Sequence, residues 1–80
     1  MVNKDVEQIA IIRDSMLENP NAKGLFIWEA AKLALEDKYL YELMLDWMIV
    51  TDSDIKNMLM EEVVNYTEEI LRKIKINTER

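Results

Sequence analysis

Cysteine and histidine are both missing from this 80-residue chain, and glycine and proline occur once each. Without cysteine there is no disulfide, no thiolate nucleophile and no sulfur ligand for a metal. Without histidine the commonest acid–base side chain and the commonest metal-binding imidazole are gone as well. Serine appears only as Ser15 and Ser53, neither inside a nucleophile motif, and the lone Gly24 cannot build a phosphate-cradling loop. The carboxylates do no better as a metal site. Asp52-Ser53-Asp54 opens like a calcium loop, but Lys56 stands where a third ligand belongs and Val63 where the closing glutamate belongs. Glu61, Glu62, Glu68 and Glu69 repeat at seven residues, yet a di-iron bundle needs Glu-x-x-His. No enzyme, no metal and no cofactor are expected.

Long apolar runs are also lacking. The richest stretch, Tyr39 to Val50, is interrupted by Glu42 and Asp46 and falls short of the ~20 apolar residues of a membrane span. The opening Met1-Val2-Asn3-Lys4-Asp5 has no apolar targeting core. A cytoplasmic protein that does not enter the membrane is the expectation.

What remains is a two-letter texture. Half the residues are hydrophobic and 32% are charged, which is the composition of helices packed on helices. Clusters of β-branched residues alternating with turns are missing, which disfavours sandwiches and barrels. The net charge of −6 opposes binding to phosphate backbones. A chain this short buries only roughly 60% of the surface it exposes when unfolded. Regular helix packing or self-association must therefore compensate.

The pattern predicts an all-α antiparallel bundle in one domain, 1–80, with helices at about 4–18, 21–36, 38–50 and 53–76 and fraying over 77–80. Asn3 is a suitable first cap, with Asp5 and Glu7 in the positive first turn. Val6, Ile9, Ala10, Met16 and Leu17 share one side of helix 1, and Asn19-Pro20-Asn21 ends it. Arg13 intrudes on that side and is expected to snorkel, to pair with a neighbouring carboxylate or to meet a partner. Helix 2 is apolar nearly all round, as in a helix surrounded by protein. Glu29, Lys32 and Glu36 point one way while Lys38, Glu42 and Asp46 point another, which places a break at Asp37-Lys38. The alternative is helices 2 and 3 fused into one. Thr51-Asp52-Ser53-Asp54 then marks a turn and cap, with Thr51 and Asp54 spaced as a capping box. Glu68–Arg72 and Glu69–Lys73 are spaced as stabilising pairs.

The apolar residues exceed what a small core needs. On helix 4, Ile55, Leu59, Val63, Tyr66 and Ile70 form one stripe, and Met60, Val64 and Leu71 a second, about a third of a turn away. On helix 3, Leu40, Met44 and Trp47 face one way, while Leu45 and Ile49 lie to the side. Trp28, Trp47 and Phe26 are expected to anchor the core. The extra stripes suggest a second chain, so Leu45, Ile49, Met60, Val64 and Leu71 are the expected partner-binding residues, with a homodimer the expected assembly. The function this implies is a small acidic protein–protein interaction module: an adaptor, antagonist or regulatory subunit acting by occupancy. Two alternatives stand beside it. One is a nucleic-acid-directed regulator, binding weakly through Arg72, Lys73 and Lys75 or mimicking nucleic acid with its acidic surface. The other is a purely structural homo-oligomer.

Overall fold

A computed structural model describes residues 3–78, with side chains from 4 to 75. Four helices follow one another: α1 (Asn3–Leu17), α2 (Gly24–Leu33), α3 (Lys38–Ile49) and α4 (Ser53–Thr78). No strand occurs among the described residues. The expected all-α bundle is thus observed, and its internal boundaries have identifiable causes.

Between α1 and α2 the chain turns on Asn19-Pro20-Asn21-Ala22. The Ala22 amide donates to the Asn19 carbonyl at 3.0 Å, and the Asn21 amide donates to Asn19 Oδ1 at 2.8 Å. Pro20 supplies the fixed φ such a turn favours, and the asparagine side chain closes it from within. This turn delays α2, which begins at Gly24 rather than 21.

α2 ends at Leu33, three residues before the expected 36. The Leu35 and Glu36 amides reach back only three residues, to Lys32 and Leu33, so the helix tightens and stops. Asp37 is then extended, and its Oδ1 accepts from the Leu40 amide at 3.0 Å. An aspartate cap, not a glycine or proline, separates α2 from α3. The break at Asp37-Lys38 therefore stands, and the fused helix is excluded.

α4 starts at Ser53 as expected, but its cap is Asp52. That carboxylate accepts from the Asp54 and Ile55 amides at 2.9 and 3.1 Å. Neither Thr51 nor Ser53 has that role. The 26 residues of α4 extend about 39 Å, close to the 43 Å longest dimension of the molecule. Asn77 and Thr78, expected to fray, belong to the helix; residues 79 and 80 lie outside the described residues, as does the Asn3 side chain.

The core takes Ile9, Ile12 and Met16 from α1, Ile27, Ala30 and Ala31 from α2, and Leu40, Leu43, Met44 and Trp47 from α3. α4 adds Met60, Val63, Val64 and Thr67. α2 packs against all three other helices, whereas α1 and α4 do not meet among the described residues. α3 likewise packs against all three other helices. Trp47 is buried as expected; Trp28 is not, being 47% exposed.

Helix 4 is rotated from its expected setting. The second stripe, Met60 and Val64, is buried within the chain, while Ile55 of the first is 47% exposed. Thr67, wholly buried, lies between the two stripes and centres the inward face. At 100° per residue this is about a quarter-turn displacement.

Side-chain bonds tie the helices at their ends. The Tyr66 hydroxyl donates to Asp37 Oδ2 at 2.8 Å, joining α4 to the cap of α3. This bond, which holds the phenolic proton, is the main reason the Tyr66 pKa is raised; burial and the Asp37 charge add to it. Tyr39 meets Tyr66 edge-on, with ring centroids 4.8 Å apart. The Tyr41 hydroxyl donates to Asp5 Oδ1 at 3.4 Å, and its pKa is raised by burial first and by Asp5 second. Lys56 Nζ donates to the Trp47 carbonyl at 2.6 Å and lies 3.7 Å from the Trp47 ring centroid. A cation from α4 thereby satisfies a carbonyl in the last turn of α3. On the surface of α4, Glu69 and Lys73 form the expected pair at 3.6 Å.

Candidate docking groove

The expected partner-binding residues do not form one surface. Met60 and Val64 are 4% and 6% exposed and belong to the interior of the chain. Leu45 is half-buried against the core, and Leu71 is half-buried on α4. Only Ile49, 72% exposed, projects into solvent. The physical reason is the rotation of α4, which turns its second stripe inward to meet α2 and α3.

The exposed apolar surplus falls mainly in two places: Met48, Ile49, Ile55 and Met58 around the α3–α4 turn, and a groove between α1 and α2. This groove, of about 210 Å³, is lined by Val6, Ile9, Ala10 and Arg13 from α1. Trp28, Ala31 and Lys32 from α2, with Leu35 just beyond it, complete the lining. On α1, Val6, Ala10 and Arg13 follow the four- and three-residue spacing of one helical side. Trp28, Lys32 and Leu35 do the same along α2. Ile9 and Ala31 form a buried floor, while Val6, Trp28 and Leu35 stand 48%, 47% and 52% exposed along the walls.

Arg13 is fixed in this groove rather than free to sweep through solvent. Its guanidinium carbon lies 4.3 Å from the Trp28 ring centroid, a cation–π contact. Nη2 and Nε also meet Asp14 Oδ1 at 3.0 and 3.1 Å. This is the expected pairing with a neighbouring carboxylate. Across the groove, Lys32 Nζ meets Glu29 Oε2 at 3.1 Å. Both cations line the groove, whereas Asp14 and Glu29 do not.

Two other concavities differ in character. A cleft of about 430 Å³ between the α1–α2 turn and α4 has Met60 and Val64 as its base. Asn21, Lys23, Asn57, Glu61 and Asn65 surround it. Asn21 Nδ2 already donates to Asn57 Oδ1 at 3.3 Å, and covering exposed amides and charges of this kind gains little. A third, of about 320 Å³, shares Leu35 with the groove and is lined by Asp5, Ala34, Glu36, Lys38 and Tyr41. The larger volume of the polar cleft matters less than the chemistry of the wall. The α1–α2 groove has the most apolar wall of the three, the kind of surface from which exclusion of water is favourable.

No three carboxylates come together as a metal site among the described residues. No helix there is long and apolar enough to cross a membrane. Arg72, Lys73 and Lys75 are exposed at the end of α4. Comparison with family models, with curated proteins and with solved structures finds no match to this chain.

By residue type Trp28 belongs in the core, yet it stands 47% exposed on the groove wall. A signal was present: Leu25, Trp28, Lys32 and Leu35 recur at three- and four-residue steps on the side of α2 turned away from Ile27 and Ala30.

Proposed function

We propose that this protein is a protein-binding module that acts by occupancy, without catalysis of its own, and that its docking surface is the α1–α2 groove. The observation that carries the reading is the exposed apolar wall of Val6, Trp28 and Leu35 around a buried floor. Contiguous apolar surface of this kind on a soluble chain marks a contact site, whereas single exposed apolar residues do not. Trp28 beside Arg13 adds the two residue types most enriched among energetic anchors of interfaces. The groove lies between two helices, which is the form that accepts a third helix.

The test is affinity capture with the full chain as bait, alongside Trp28→Asp and Ile49→Glu variants. A partner retained by wild type and Ile49→Glu but lost by Trp28→Asp, with helical content unchanged in all three, is the expected result. Equal recovery by all three would refute the groove as the docking surface. Sedimentation of the same proteins covers the homo-oligomer reading, in which a second copy fills the groove and Trp28→Asp yields monomers.

A further inference from the structure

The charged side chains lining the groove are cations, each paired with a carboxylate outside the lining: Arg13 with Asp14 at 3.0 Å and Lys32 with Glu29 at 3.1 Å. The chain carries sixteen acidic and ten basic residues, yet the only charged side chains lining the groove are Arg13 and Lys32. Their partners Asp14 and Glu29 lie outside the lining, so a ligand seated there meets the two cations first. The Asp14 side chain is 63% exposed, and an ion pair in that setting holds weakly enough to be exchanged for a better-placed carboxylate. The guanidinium stays in position during such an exchange because the Trp28 ring, not Asp14 alone, supports it. The cationic stretch is also bounded. Past Leu35 the lining is of mixed sign, with Asp5, Glu36 and Lys38, so the all-cationic lining is confined to the Trp28 side.

Apolar contact is insufficient on its own here. Covering the exposed parts of Val6, Trp28 and Leu35 is a gain comparable with the cost of immobilising two molecules against each other. Bringing a basic partner would strip water from Arg13 and Lys32 against like charge. A partner carboxylate instead takes the place of Asp14 or Glu29 and keeps the charge-assisted hydrogen bonds, with Arg13 able to offer two in parallel.

We propose that the occupant of the groove is an acidic amphipathic helix of another protein. Its apolar stripe lies along Val6, Trp28 and Leu35, and a glutamate or aspartate beside that stripe pairs with Arg13 and Lys32. This rests on the docking function proposed above and names its partner chemistry.

The test is selection from a displayed library of helical peptides sharing one leucine stripe, with flanking positions randomised among Glu, Gln and Lys. Wild-type protein is the target; Trp28→Asp and Leu35→Asp are used for counter-selection, each checked for intact helical content. The expected result is enrichment of Glu at flanking positions. A synthetic peptide of the enriched sequence should bind about tenfold more weakly to Arg13→Gln/Lys32→Gln and lose affinity as salt rises. Groove-dependent peptides rich in Lys, or without charge bias, would overturn the acidic partner and leave the docking groove standing. No peptide dependent on Trp28 or Leu35 would overturn both. A wild-type dimer dissociated by Trp28→Asp would assign the groove to a second copy and overturn the proposal of a foreign helix.

Discussion

Asp37 is the residue on which the most separate parts of the fold depend, and its removal has a calculable effect. One carboxylate oxygen caps α3 through the Leu40 amide, and the other accepts the Tyr66 hydroxyl of α4. Loss of an aspartate cap costs about 1 kcal/mol. Loss of the tyrosine bond to a carboxylate is worth up to about 3 kcal/mol when buried, and about 1 kcal/mol here because the half-exposed Tyr66 can turn its hydroxyl to water. Asp37→Ala should therefore lose about 2 kcal/mol, which for a domain of this size lowers Tm by roughly 10 °C. Urea unfolding of Asp37→Ala, Tyr66→Phe and the double variant separates the contributions. The two changes should couple by about 1 kcal/mol, and the remainder belongs to the cap. Asp37→Asn should retain most of the cap and lose part of the tyrosine bond. A loss below about 0.5 kcal/mol for Asp37→Ala would refute the assignment of Asp37 as both the break between helices and the tie to α4.

Three further outcomes follow from burial and titration. Val63→Glu should unfold the protein, because it desolvates a charge at a wholly buried site of the apolar core, whereas Ile49→Glu at 72% exposure should leave the thermal midpoint within a few degrees; circular dichroism melts distinguish them. Thr67→Val should stabilise by about 1 kcal/mol in urea, since the buried Oγ1 has no hydrogen-bond partner among the described residues and valine has the same shape. The raised pKa values of Tyr66 and Tyr41 mean that the unfolded chain releases these protons first. Their stabilisation is therefore complete below the ordinary tyrosine value of about 10 and is lost as pH rises above it through the folded-state values. Urea midpoints from pH 8 to 11 should fall less steeply for Tyr66→Phe than for wild type.

Helices and turns were legible because their signals are local. Asn19-Pro20-Asn21 closes α1 through bonds made within four residues, and the shift of polar direction after Glu36 located the break between α2 and α3. The core of α3 was equally readable: Leu40, Met44 and Trp47 form the buried stripe, with Leu45 half-buried and Ile49 exposed beside it. The rotation of α4 was not readable. It presents Ile55, Leu59 and Tyr66 on one side and Met60, Val64 and Leu71 on another, and hydrophobicity alone cannot choose between them. The deciding residues are weakly apolar or polar. Thr67 centres the buried face of α4, and Ala30 and Ala31 are buried on α2.

The same cause displaced the candidate site. An excess of apolar side chains over core capacity follows from composition and length, and it holds whatever the helix rotations are. Which residues carry the excess depends on those rotations. Met60 and Val64 turn inward with the rotation of α4, and Ala30 and Ala31 are the buried residues of α2 beside Ile27. The tryptophan of α2 stands against α1, where Arg13 covers one of its faces. Enlarging Ala31, on the groove floor and 5% exposed, should disturb the core and the groove together, whereas charge changes at Arg13 should alter binding and leave the core intact.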